Sequence, residues 1–470
     1  MERASRRAVP ARYAPSVPNS LLNSLLVANR GEIARRIIRT ANRLGIRTVA
    51  VYSEADADLP FVAEADEAIE IGPPQPADSY LNASAILTAA AQAGVAAIHP
   101  GYGFLSENAD FAQAVEDAGL IWVGPAPESM RAMGDKIAAR NLMSTAGVPV
   151  ALGTPEPVPD VFQALGEAQR IGYPVMVKAA AGGGGIGMSA AHNDDELKAA
   201  FETARSRAER FFADPSILLE KYVPVARHVE VQILGLADGR IVALGERDCS
   251  VQRRHQKVAE EAPSPAVTGA LREQLLGAAI KAGEAVNYRN AGTVEFLLDT
   301  ASGELSFLEM NTRLQVEHPV TEMVTGLDLV EEQLRIASGL APTFDPDKLP
   351  PPSGHSIEMR IYAEDPKRFL PGPGAITDWV EPTGEGVRVD SGYAPNTTVT
   401  PFYDPLLAKL IVHGKDRSEA LDRARKAVRE FAVAGPKNNL EFFTELLDNA
   451  DFVSGAYDCK IVDRMRAKQP

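Results

Sequence analysis

Cysteine is nearly absent. Cys249 and Cys459 are the only two in 470 residues, which excludes a disulfide-stapled scaffold and a cysteine-rich metal centre. No apolar run approaches the roughly 18 residues of a membrane-spanning helix. Positive charge is in deficit, with 48 lysines and arginines against 63 acids and a formal net charge of −15. General attraction to nucleic acid or to an anionic membrane is therefore not expected. No export signal is visible, and a reducing cytoplasmic setting fits. Residues 1–20 carry four arginines and a single acid. They read as a disordered extension, an organellar transit peptide being the alternative. What is present in quantity, 45% apolar and 24% charged residues, belongs to a globular protein of two to four domains.

The hydrophobic pattern becomes regular from Leu25. LLVAN is a buried strand, GEIARRIIRTANRLG has helical spacing, and RTVAVYS is a second strand. This βαβ opening implies a parallel sheet with a right-handed crossover. Further helix and strand units run to about residue 125, and SMRAMGDKIAARNLMSTAG is expected as one connecting helix. The proline-rich TPEPVPD marks a boundary before a small lobe of about 75 residues. Strand–turn–strand units follow, HVEVQILGL to IVALGERD and GTVEFLLD to ELSFLEM, in a mixed domain reaching about residue 460. The expected class is α/β and α+β multidomain.

VKAAAGGGGIGM, residues 177–188, satisfies two phosphate-binding patterns on paper. Gly182, Gly184 and Gly187 fit G-x-G-x-x-G, and Gly182 with Gly187 opens like a P-loop. Met188 stands where the P-loop lysine belongs, and the next helix starts only after the capping candidate Asn193. The glycines therefore join two strands, which disfavours a dinucleotide site. A lid over phosphates and a merely loose loop both remain open, with Lys178 favouring the lid.

In GTVEFLLDTASGELSFLEMN a turn centred on Ser302 sets Glu295 opposite Glu309, alongside Leu297 and Phe307. Like charges facing each other repel. With Asn311 nearby they suit Mg²⁺, unless one glutamate points to solvent or the register slips. Arg313, Gln315 and Glu317 alternate in NTRLQVEH, so an extended segment presents an arginine, an amide and a carboxylate on one face. That set suits a small oxyanion plus a base; a charged edge strand is the plain alternative. SVQRRHQK, residues 250–257, is a cationic island open to phosphate contact or to solvent, and His228 alone reads as structural.

Taken together, LVANRGEIARRIIRTANRLG, IHPGYGFLSENADFA, EKYVPVARHVEVQILG, ERDCSVQRRHQK, FLEMNTRLQVEHPVTEM, GHSIEMRIYAEDP and PFYDPLLAKLIV resemble, in order, the biotin carboxylase family of the ATP-grasp superfamily. The resemblance implies a Rossmann-like N-terminal domain at 21–135, a connecting helix and lid at 136–222, an ATP-grasp body at 223–350 and a C-terminal subdomain at 351–465. It implies ATP contacts from Lys136, Lys178, Gly183, Gly184, Glu220, Lys221, Val223, His228, Gln252, His255 and Leu297. Mg²⁺ or Mn²⁺ would lie on Glu295, Glu309 and Asn311, which strengthens the reading from spacing. Arg313, Gln315, Val316 and Arg360 would handle bicarbonate and biotin. Glu317 would be the general base and Lys257 a cation at both the phosphate and the reaction site. Arg360 would stabilise the biotin enolate, with Arg313 also in the catalytic set. The chain departs from the family at Ile186 and Ser189, where lid cations are usual, and at Asn396, where glycine is usual.

No A/V-M-K-M biotin-attachment sequence is present. The biotin carboxyl carrier protein and the carboxyltransferase are therefore expected on other chains, and a homodimer is implied by the resemblance. The rival readings are another ATP-grasp ligase, which would not need the Arg313–Glu317 and Arg360 set, and a non-catalytic ATP-binding protein.

Overall fold

The computed structural model describes residues 20–179, 188–212 and 215–467. Gly183, Gly184, Ile186 and nearly all of the 1–20 extension lie outside them. Five parallel strands form the first sheet: β1 (Ser24–Val27), β2 (Arg47–Tyr52), β3 (Glu67–Glu70), β4 (Ala97–His99) and β5 (Ile121–Trp122). Their order is β3-β2-β1-β4-β5, the doubly wound arrangement that βαβ units generate. β1 is buried along its whole length, as a central parallel strand covered on both faces must be.

The expected single connecting helix is two. Asp135 accepts from the Ile137 and Ala138 amides at 2.9 Å, ending helix Pro127–Gly134 and capping helix Lys136–Thr145. A three-stranded antiparallel sheet follows, with β6 (Val175–Ala179) between β7 (Ser189–Ala191) and β8 (Ile217–Lys221). β6 and β7 pair antiparallel, so the glycine run connects two strands of one hairpin, and Ser189 sits opposite Val177. Asn193 does cap the next helix, accepting from the Glu196 amide at 2.9 Å.

The body contributes six strands to an eight-stranded sheet: β9 (Ala226–Gly235), β10 (Ile241–Arg253), β11 (Gln256–Ala262), β12 (Asn290–Asp299), β13 (Leu305–Asn311) and β14 (His355–Tyr362). The C-terminal segment adds β15 (Gly374–Ala375), β16 (Asp378–Val380), β17 (Val387–Ser391), β18 (Thr398–Val399), β19 (Leu406–Gly414) and β20 (Ala432–Ala434). The order β13-β12-β9-β10-β11-β14-β19-β17 makes the body and the C-terminal segment share one sheet. β15 pairs with β18, and β16 with β20. The turn between β10 and β11 puts Arg254 and His255 at φ 48° and 67°, the left-handed pair of a two-residue hairpin. No helix among the described residues is long and apolar enough to cross a membrane.

Candidate active site

The floor of the site is a row of directly opposed residues across four strands. Arg247 on β10 faces Glu230 on β9, Glu230 faces Glu295 on β12, and Glu295 faces Glu309 on β13. The expected Glu295–Glu309 pairing holds, but its surroundings differ. A register shift after Glu295 pairs Phe296 with Phe307 and sets Leu297 against Ser306, because the extra residue of a bulge turns the strand locally.

Glu230, Glu295 and Glu317 are buried close together and need cations. Lys257, from β11, places its Nζ 2.6 Å from Glu230, 2.8 Å from Glu295 and 2.7 Å from Glu317. Arg247 donates to Glu230 at 2.6 Å and is fully enclosed. Arg360 reaches Glu317 at 2.9 Å and Glu260 at 2.6 Å. Burial alone would push Glu317 up; Lys257, Arg360 and Arg247 outweigh it and hold the carboxyl well below its usual range. Burial likewise disfavours the Lys257 cation, yet the three carboxylates hold its pKa well above the ordinary lysine value. His228 stands 2.9 Å from Glu295, and Gln252 donates to its Nδ1 at 2.9 Å. Although burial opposes it, the Glu295 charge raises the His228 pKa.

Glu309 is the exposed end of the row, its side chain 47% accessible and 3.9 Å from Lys136. Crowding by neighbouring atoms, and next the charge on Glu295, raise its pKa. Asn311 donates to Glu295 at 2.8 Å. Two carboxylates facing each other, one of them destabilised as an anion, with an amide oxygen beside them, fit a divalent cation. A cavity of about 210 Å³ opens here, lined in part by Glu107, Lys136, Glu309, Asn311 and Thr312.

Residues 313–317 do not form the expected extended segment. The chain bends after Asn311 and turns into helix His318–Thr325. The bends achieve convergence by another route: Arg313 donates to Gln315 at 2.9 Å, and Gln315 donates to Glu295 at 3.1 Å. Arg313 also binds Glu107 at 3.0 Å. In the smaller sheet Lys178 forms an ion pair with Glu220. Other candidates stand apart from the cluster. Lys221 donates to the Gly172 and Tyr173 carbonyls at 2.9 and 3.0 Å, since neighbouring residues on a strand face opposite ways. His255 is exposed at its hairpin tip, and Val223 and Leu297 are half-buried, Leu297 opposite His228.

Reading along the sequence missed Glu230, Arg247, Glu260 and Glu107. The H-x-E-x-Q alternation of 228–232 carried a signal for Glu230. Arg247 faces Glu230 across the β9–β10 pair, but a register shift between Ala243 and Glu246 hides this from spacing. For Glu260 and Glu107 the partner lies on a distant strand or loop.

A small three-stranded sheet bearing the Lys178–Glu220 pair, together with an antiparallel body bearing the carboxylate and cation cluster, defines an ATP-grasp ligase. The domain family "Biotin carboxylase, N-terminal domain" matches residues 21–130. "Carbamoyl-phosphate synthase L chain, ATP binding domain" matches 135–342, and "Biotin carboxylase C-terminal domain" matches 358–464. The biotin carboxylase of Halalkalibacterium halodurans is 52% identical over 93% of this chain and 96% of its own. A pyruvate carboxylase subunit of Methanothermobacter thermautotrophicus is 49% identical over 95% and 90%. Among solved structures, the biotin carboxylase domain dimer of Hydrogenobacter thermophilus 2-oxoglutarate carboxylase, in complex with MgADP, ADP and bicarbonate, has a TM-score of 0.89. It is 42% identical, covering 95% of this chain and 98% of that one. The chain belongs to the biotin carboxylase family, enzymes that act as ATP-dependent ligases.

Proposed function

We propose that the chain catalyses the first half-reaction of an acyl-CoA carboxylase of the acetyl- or propionyl-CoA type, carboxylating biotin held on a separate carrier protein. The observation that carries this reading is Glu317 clamped between Lys257 and Arg360, next to the Arg313–Gln315 pair. That arrangement offers a base, two cations and an oxyanion cradle within one buried cluster.

Bicarbonate is a poor electrophile until ATP phosphorylates it to carboxyphosphate. Arg313, Gln315 and the Val316 backbone hold the anion, and Glu317 accepts its proton. Carboxyphosphate then gives CO₂ and phosphate, and the phosphate takes the N1 proton of biotin. Arg360 faces the ureido oxygen as negative charge develops there. Lys136, Lys178 and Lys257 supply positive charge along the phosphates. Glu220, Lys221, Val223, His228, Gln252, His255 and Leu297 complete the nucleotide site, with Gly183 and Gly184 in the lid. Glu295, Glu309 and Asn311 would hold Mg²⁺ or Mn²⁺, which neutralises phosphate charge when bound.

Glu317 is held so acidic by Lys257, Arg360 and Arg247 that it is a weak base in the free enzyme. Incoming anions compete for Lys257 and Arg360, and this raises its basicity only when substrate is in place. The dimeric Hydrogenobacter structure supports a homodimer for this chain, and the bacterial relative favours a cytoplasmic setting. The relatives' names span more than one carboxylase, so the acyl acceptor is assigned to the partner carboxyltransferase. Fixation of labelled bicarbonate onto a biotinylated carrier tests the half-reaction. Adding the carboxyltransferase with acetyl-CoA, propionyl-CoA or pyruvate tests the acceptor; labelled product from pyruvate alone would overturn the acyl-CoA assignment.

A further inference from the structure

One fully buried lysine is not used by the chemistry above. Lys409, on β19, is 0% exposed, a condition lysine almost never meets unless paired. Its Nζ donates to the Val316 carbonyl at 2.9 Å. It lies 3.2 Å from Glu32 and 3.9 Å from Asp390, with the Tyr102 ring centroid at 5.8 Å. These partners come from four places: the turn before Glu317, the first helix (Gly31–Arg43), β17, and the loop after β4. In the sheet Lys409 stands directly opposite Arg360 on one side and Asp390 on the other.

The turn has a second anchor. His318 Nδ1 lies 2.8 Å from the Gln315 carbonyl. Burial first, and the nearby cations Lys409, Arg36 and Arg388 next, hold the ring neutral, so Nδ1 carries a proton and donates. The carbonyls of residues 315 and 316 are thus both tied into the protein. In a trans peptide the following N–H points the opposite way, so the amides of Val316 and Glu317 are turned away from these anchors. Rotating either peptide would swing Glu317 relative to Arg313 and Gln315.

From this we infer that Lys409 is a positioning residue for bicarbonate: its hydrogen bond fixes the Val316 peptide, and through it Glu317. This rests on the bicarbonate reading of the site. The competing role is plain neutralisation of Glu32 and Asp390, and the two roles separate in a double variant. Lys409→Met leaves Glu32 buried without its cation; Glu32→Gln/Lys409→Met removes that orphan charge while the Val316 carbonyl stays unheld.

The test uses the full chain, with bicarbonate-dependent ATP hydrolysis, ATP binding by calorimetry, and thermal unfolding. In the double variant Tm recovers toward wild type, while KM for bicarbonate stays raised at least about tenfold and ATP affinity changes by less than about twofold, as displacement of one substrate's cradle requires. Glu32→Gln alone keeps the wild-type bicarbonate KM. Recovery of Tm and bicarbonate KM together in the double variant would reduce Lys409 to charge neutralisation and overturn the inference, and so would an unchanged bicarbonate KM. Hydrogen exchange reads the strut without chemistry, so it stands apart from the functional assignment. Amides 313–318 should exchange faster in the double variant while those of the first sheet do not, and equal exchange would overturn the inference even where bicarbonate fails to stimulate wild type.

Discussion

Replacing Lys257 by methionine removes the cation shared by Glu230, Glu295 and Glu317, whose side chains are 0–6% exposed. Breaking a buried ion pair costs about 3–5 kcal/mol. Protonation caps the loss, because an orphaned glutamate can take up a proton instead. Neutralising one carboxyl of ordinary pKa about 4.3 at pH 7 costs about 1.36 × 2.7 ≈ 3.7 kcal/mol. The two figures agree, so a destabilisation of about 4 kcal/mol is expected at pH 7. The pH dependence follows in sign. Despite burial, which opposes it, Lys257 helps hold Glu295 and Glu317 below their ordinary values. In wild type their contribution is fully present above the unfolded carboxylate pKa and so is constant from about pH 8 to 5. The orphaned carboxyl of folded Lys257→Met instead holds a proton that the unfolded chain does not, which stabilises the variant as pH falls. The gap between wild type and Lys257→Met should therefore narrow by about 1.4 kcal/mol for each pH unit lowered from 8 toward 5. Urea unfolding followed by fluorescence across that range measures it. Lys426→Met serves as the control, since its pair with Glu430 is largely exposed and should be worth less than about 1 kcal/mol. A gap under about 1 kcal/mol at pH 7.5, or one indifferent to pH, would refute the cluster's electrostatics.

Glu317→Gln should lower bicarbonate-dependent turnover about 10²- to 10⁴-fold, the usual contribution of a general base, while calorimetric ATP binding persists. Glu309→Gln relieves the facing charges, so it should raise thermal stability without Mg²⁺ and raise the Mg²⁺ concentration needed for half-maximal turnover. Glu261 is a structural counterpart: burial pushes its carboxyl up, but hydrogen bonds from His355 and Arg417 outweigh this and hold it at about 2. Its contribution, about 3 kcal/mol for a shift of this size, should be lost between about pH 5 and 2, and acid unfolding of Glu261→Gln should lack that part of the transition.

Local patterning carried the first sheet well, because β1 and its crossover helix express period and burial within one short window. It also carried the β12–β13 hairpin, where turn and alternation are contiguous. It failed where one residue interrupts a pattern: Asp135 divides what reads as one helix, and the bulge after Glu295 moves Leu297 off Phe307. The alternation at 313–317 suggested a strand, but anchoring of the Gln315 and Val316 carbonyls bends the chain instead. Lys409 was the least visible, because its partners come from distant elements, and a register shift in β10 hides the Arg247–Glu230 pairing from spacing. Assignment of roles to Lys136, His228 and Arg360 came from family resemblance, since spacing alone does not connect positions so far apart.

The most direct test of the account is Mg-ATP hydrolysis by the purified chain, with bicarbonate and free biotin each added or omitted. Hydrolysis that requires bicarbonate and rises with biotin is the predicted result. Slow hydrolysis indifferent to both would contradict the assignment of Glu317, Arg313 and Arg360 to bicarbonate and biotin, leaving the ATP-grasp fold without the chemistry proposed for it.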